Sequence, residues 1–105
     1  MSADRESPPP TEPILLRTVE LFAAIAHPVR LAVLLRLSQQ GAMTVGELQA
    51  FAGIEQSAMS HHLKLLRDRR LVATERRGKQ IAYTVADRHV AHIVEDAVRH
   101  VEEGA

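Results

Sequence analysis

Along most of this chain apolar residues recur at the spacing of a helix face, and in one stretch they alternate as in a strand. In residues 14–26, Leu15, Val19, Phe22 and Ala23 share one side of a helix. His27-Pro28 breaks that run and restarts it, because proline fits the first turn of a helix. A second helix is expected over 28–39, closed by Gly41. Thr44, with Glu47 three residues on, forms a capping box and opens a short helix to about Ala52. Gly53-Ile54-Glu55 reads as a turn. A fourth helix follows from Gln56 or Ser57 to about Arg69, with Met59, Leu63 and Leu66 inward and a polar, basic face outward.

The period then shifts. Residues 71–76 and 80–85 read as two antiparallel strands joined by Arg77-Gly78-Lys79, a β-hairpin with a basic tip. Asp87 can cap a last helix reaching about Glu103. That helix carries a seam of Val90, Val94, Ala97 and Val101, widened by Ile93 and Val98. Its steps of four, three and four are the period of a helix packed on a helix. A helix this short is marginal alone, so the seam predicts a partner. Residues 1–13, polar and with the run Ser7-Pro8-Pro9-Pro10, read as a disordered or extended N-terminal arm. The folded domain is then 14–105.

The spacing of polar residues on the last helix carries chemistry. Asp87, His89, His100 and Glu103 form the pattern D-x-H-x10-H-x2-E. Imidazole and carboxylate are common ligands of zinc and similar divalent ions. Eleven residues at about 100° each bring His89 and His100 within roughly 20° of the same direction, yet leave them about 16 Å apart along the axis. They cannot share one ion within one helix. A second, antiparallel copy would bring the amino-end pair of one chain against the carboxyl-end pair of the other. The pattern therefore predicts a metal and a homodimer together. Two histidines with two carboxylates suit tetrahedral Zn(II), or Ni(II)/Co(II) with extra ligands. His92, three residues after His89, is an additional candidate ligand whose blander role is an exposed histidine near Asp96.

Composition narrows the remaining choices. At 105 residues the chain makes one small domain with a modest core, mainly Leu, Val, Ile and Ala. Without cysteine it has no disulfide and no thiolate site, which fits a cytoplasmic protein. It shows no membrane-spanning run and no signal-peptide layout, so no membrane partner is expected. The net charge of zero hides a basic block: residues 56–80 hold seven basic side chains against two acids. That block suggests one polyanion-binding face.

A short helix, a tight turn and a second helix with a polar face make a helix-turn-helix. Such a unit sets its second helix in the DNA major groove, amino end toward the bases. Gln56, Ser57, Ser60 and His61 occupy that end and suit base edges. Lys64, Arg67, Arg76, Arg77 and Lys79 suit phosphates. The basic hairpin is then a wing beside the reading helix. His62 lies beside the inward stripe and is expected to pack or hydrogen-bond locally. His27 is expected to serve the helix junction, and Met59 the core. The fold class is mainly α with a β-hairpin wing, about five helices and two antiparallel strands. A metalloenzyme is disfavoured, since so small a winged helix leaves little room for a substrate pocket.

Three separated segments carry a resemblance: Ala26-His27-Pro28-Val29-Arg30-Leu31, Gln56-Ser57-Ala58-Met59-Ser60-His61-His62-Leu63-Lys64-Leu65-Leu66-Arg67-Asp68, and Arg76-Arg77-Gly78-Lys79-Gln80-Ile81-Ala82-Tyr83. In this order they resemble the ArsR/SmtB family of bacterial metal-responsive regulators, over roughly residues 14–103. The resemblance implies a homodimer through the first and last helices that binds a palindromic double-stranded operator, with repression the usual mode. No RNA partner is expected. It also implies that Asp87 and His89 of one chain join His100 and Glu103 of the other at two intersubunit metal sites. The family's alternative thiolate site is absent, because Gln49 and Phe51 stand where it needs cysteines. A regulator of this family without a metal effector, or one that activates, remains the competing expectation.

Overall fold

A computed structural model describes residues 7–105. The order of elements is α1 (Glu12–Ile25), α2 (Pro28–Gln40), β1 (Met43–Thr44), α3 (Val45–Ala52), α4 (Gln56–Asp68), β2 (Val72–Arg77), β3 (Gln80–Val85) and α5 (Arg88–Gly104). The chain thus has five helices and a three-stranded antiparallel sheet of order β1-β3-β2 among the described residues. The hairpin was expected; β1 was not. Of the proposed arm, residues 1–6 lie outside the described residues, and α1 begins at Glu12, with Thr11 at its N-cap and Pro13 in its first turn.

Local chemistry sets most of the boundaries. His27 is extended, as a residue before proline tends to be, and its Nδ1 accepts the Val29 N–H at 3.1 Å to cap α2. Thr44 Oγ1 accepts the Glu47 N–H at 3.2 Å, while Glu47 Oε1 accepts the Thr44 N–H at 2.9 Å, so the capping box forms in both directions. Gly53 ends α3 in the left-handed conformation with φ 67°. After α4 the same left-handed role falls to Arg70, φ 57°, where glycine would be unstrained. The hairpin register runs from Val72↔Val85 to Arg77↔Gln80, leaving the two-residue turn Gly78–Lys79. Only Gly78 has positive φ there, the pattern of a type II′ turn.

The core gathers around α2. Its Val33, Leu34 and Leu37 meet Leu48 of α3, Met59, Leu63 and Leu66 of α4, and Leu71 and Val72 at the start of the wing. The inward stripe expected for α4 is therefore borne out. The seam of α5 needs a correction. Val90 and Val94 are buried in the chain's own core against α2 and β3, not held out for a partner. Only the carboxyl-terminal half of the seam stays uncovered, with Ala97 and Val101 exposed. On α1, Ile14, Leu15, Leu16, Val19 and Phe22 are likewise exposed. No single helix among the described residues is long and apolar enough to cross a membrane.

Candidate nucleic-acid interface and metal-ligand pairs

The helix-turn-helix is α3, the turn at Gly53, and α4. Because Met59, Leu63 and Leu66 anchor one side of α4 in the core, helical geometry turns Ser57, His61 and Lys64 outward and leaves Ser60 on the flank, while Gln56 and Arg67 lie nearer the buried stripe toward the two ends of the helix. All six are exposed. Lys64 Nζ lies 3.2 Å from Asp68 Oδ2, one turn further on. Both ends of that pair are solvated, so it holds the lysine weakly and leaves it free to engage another anion.

His62 faces the other way and fixes α4 to the α1–α2 junction. Arg30 Nη1 donates to His62 Nδ1 at 3.2 Å, and Arg30 Nε donates to the Ala24 carbonyl. The His27 ring stacks at a tilt, with centroids 4.6 Å apart. Both Nδ1 atoms accept hydrogen bonds, which places the proton of each neutral ring on Nε2. Each ring has therefore committed its lone pair within the chain, and neither offers one to a metal without breaking its contact. Burial, and then the neighbouring His27, Arg30 and His61, hold the His62 pKa below the ordinary histidine value. The expectations of local bonding for His62 and a junction role for His27 are met.

The wing places its three cations differently. Arg76 and Lys79 are exposed, and among the described residues neither side chain makes a hydrogen bond or ion pair. Arg77 is engaged. Its Nη1 donates to Glu47 Oε1 at 2.8 Å and its Nη2 to the Ala42 carbonyl. Glu47 Oε1 thus serves Thr44 and Arg77 at once. The hydrogen bond from the Thr44 backbone, followed by that from Arg77, holds the Glu47 carboxyl below its usual range. Sequence reasoning missed this link, since nothing local ties residue 77 to residue 47.

The four proposed metal ligands sit at the two ends of α5. Asp87 is its N-cap, with Oδ1 accepting the Val90 N–H at 3.1 Å, and His89 Nδ1 lies 3.6 Å from the same oxygen. His100 and Glu103 are exposed in the last turns. The structure brings Asp87 and His89 together but not the two pairs. Among the described residues no group of three or more such side chains in one chain could hold an ion. His92 is exposed, and its neighbour Asp96 pairs with Arg99 at 3.1 Å. The carboxyl end of α5 carries Glu102 and Glu103 with no basic residue in the last turn. Carboxylates there face the negative end of the helix dipole, so a cation at that end would be electrostatically favoured.

Comparison with known proteins bears on the helix-turn-helix and on the chain as a whole. Residues 25–75 match the helix-turn-helix domain model HTH_20. The chain is 43% identical over 99 residues to the HTH-type transcriptional repressor SmtB of Mycobacterium tuberculosis, covering 94% of this chain and 72% of that protein. It is 36% identical over 99 residues to the HTH-type transcriptional regulator NmtR of the same organism, covering 94% and 82%. Among solved structures it superposes on HlyU from Vibrio cholerae with a TM-score of 0.76 and 32% identity, over 85% of this chain and 96% of that one. With a displayed reading helix, a basic wing and relatives of this kind across nearly its whole length, the chain belongs to the ArsR/SmtB family of winged-helix, DNA-binding transcriptional regulators, which are not enzymes.

Proposed function

We propose that the chain is a homodimeric repressor whose affinity for a palindromic operator is set by a divalent transition metal held between subunits. The observation that carries this reading is the placement of two donor pairs at opposite ends of one continuous α5. Asp87 and His89 of one subunit would hold the ion with His100 and Glu103 of the partner subunit. The donor set fits Zn(II), or Ni(II)/Co(II) if His92 or water adds ligands. When bound, the ion would supply a crosslink between the two α5 helices.

The chain's own residues do the rest. Asp87 keeps Oδ1 on the Val90 N–H and has its second oxygen for a ligand bond. His89 and His100 must be unprotonated to ligate, so metal affinity falls in mild acid. Val90 and Val94 root α5 in the core beside α2 and β3, so a shift of α5 is transmitted to the winged half. The exposed apolar face of α1 and the uncovered end of α5 support a dimer through the first and last helices. Two reading helices would then meet a palindrome one helical turn apart. Gln56, Ser57, Ser60 and His61 read base edges, while Lys64, Arg67, Arg76 and Lys79 meet phosphates. A metal that favours the free dimer must weaken DNA binding by the factor with which DNA weakens metal binding. The reading places the protein in the cytoplasm, with the DNA it binds.

Subunit mixing tests the shared site. His89→Ala and His100→Ala homodimers each lose both sites. A heterodimer of the two variants regains one, built from the intact pair of each chain. Random pairing makes about half of the dimers in an equimolar mixture heterodimers, so the mixture should bind about a quarter of the wild-type amount of metal, and the isolated heterodimer about half. Mixtures that bind no metal, or single variants that keep full stoichiometry, refute the intersubunit site. Operator affinity that no Zn, Ni or Co addition changes refutes the sensor.

A further inference from the structure

The basic wing holds one arginine that does not behave as a free cation. Arg76 and Arg77 are adjacent in β2, so their side chains leave opposite faces of the hairpin. Arg77 turns toward the amino end of α3 and there meets two acceptors, Glu47 Oε1 and the Ala42 carbonyl. The segment it grips is also paired with the other wing strand, through Met43↔Tyr83 and Thr44↔Ala82. The short stretch Ala42–Glu47 is therefore held by β3 through backbone pairing and by β2 through one guanidinium. Glu47 connects the two, because the oxygen that receives Arg77 also receives the Thr44 N–H at the α3 cap.

We propose that Arg77 is a positioning residue for DNA binding, not a phosphate ligand: it clamps the wing to the capping box of the helix-turn-helix and thereby sets where Arg76 and Lys79 stand relative to the reading helix. A planar fork suits this role. It reaches a carboxylate and a carbonyl at once, which a lysine ammonium cannot match in geometry. A side chain holding two acceptors within its own chain would have to release both to reach a phosphate. The inference rests on the reading that the wing touches DNA.

Salt dependence separates a clamp from a phosphate contact. Each phosphate neutralised contributes about 0.9 to the slope of log affinity against log salt. The probe is a duplex selected by the wild-type protein from a randomised pool, titrated over a range of salt. Arg76→Ala and Lys79→Ala should each lower the slope by about 0.9. Arg77→Ala should weaken binding by roughly two- to fivefold, the scale of an exposed ion pair, with the slope unchanged.

Glu47→Gln gives a second readout of opposite sign. The glutamine carbonyl still caps Thr44, as the melting temperature would verify. If Arg77 is a clamp, Glu47→Gln weakens DNA binding, and the double variant with Arg77→Ala is no worse than Arg77→Ala alone. If Arg77 serves phosphates, removing its acidic competitor strengthens binding. Arg77→Lys should fail to restore a clamp but would largely restore a phosphate contact. A slope loss of about 0.9 in Arg77→Ala, or tighter binding by Glu47→Gln, overturns the clamp while leaving the wing contact intact. Unchanged slopes in Arg76→Ala and Lys79→Ala overturn the wing contact itself, and the clamp with it.

Discussion

Shaving the apolar face of α1 should break the dimer without harming the fold. Val19 is the clearest position, because 64% of it is exposed in the single chain. Val19→Ala removes two methyl-sized groups, worth about 1.6 kcal/mol at roughly 0.8 kcal/mol per buried carbon. Only the exposed share remains for a partner to cover, which leaves about 1 kcal/mol per subunit. A two-fold interface presents the residue twice, so the dimer loses about 2 kcal/mol, or roughly 30-fold in dissociation constant. The monomer should not suffer, since alanine is the better helix former and the site is outside the core. Sedimentation equilibrium over a dilution series measures the dissociation constant, and far-UV circular dichroism confirms the fold. Operator affinity should fall in parallel at concentrations where the variant dissociates. An unchanged dimer constant with an intact fold would falsify the assignment of α1 to the interface. Leu34→Ala is the contrasting control: it lies wholly inside the core and should cost about 2–5 kcal/mol of stability.

Further outcomes follow from the same geometry. Burial, with His27, Arg30 and His61 nearby, makes His62 harder to protonate in the folded chain than in the unfolded one. Below about pH 6.5 the unfolded chain takes up a proton that the folded ring resists. Its contribution is therefore complete above that pH, is lost as pH falls toward the depressed folded pKa, and levels off below it. Urea unfolding of wild type and His62→Asn across pH 5–8 should show this component only in wild type, and identical profiles would refute it. Thr44→Ala deletes the side-chain half of the capping box and should cost about 0.5–2 kcal/mol, read as a lower melting temperature. The doubly substituted His89→Ala/His100→Ala protein should keep its metal-free operator affinity and lose all response to added metal, measured by fluorescence anisotropy. A retained response would point to another effector.

Most of the fold was legible because its boundaries are set by local rules. His27-Pro28, Gly41, the Thr44/Glu47 box and Gly53 each fix an element edge through neighbours a few residues away. What escaped notice was non-local. Strand β1 is two residues long and has no period of its own; it exists because Met43 and Thr44 find Tyr83 and Ala82. The Arg77–Glu47 link is hidden for the same reason. The α5 seam shows a second limit. A four-three-four apolar period reports that a face is covered, not by what. Val90 and Val94 are covered by their own chain, while Ala97 and Val101, on the same register, are left uncovered. The donor quartet was legible as a spacing because helix geometry turns sequence distance directly into direction and length.

The proposed ligand positions on α5 have an evolutionary consequence. Asp87, His89, His100 and Glu103 are all exposed, on the rim of a helix whose burial depends on other residues. Exchanges at His89, His100 and Glu103 should alter stability by no more than about 0.5 kcal/mol. Asp87 alone is tied to folding, through the cap it gives Val90. Natural selection could then rewrite which ion is sensed, or erase the sensor, one substitution at a time, without passing through an unfolded ancestor. The heritable tuning knob lies apart from the scaffold, and of the four donors Asp87 should be the slowest to change.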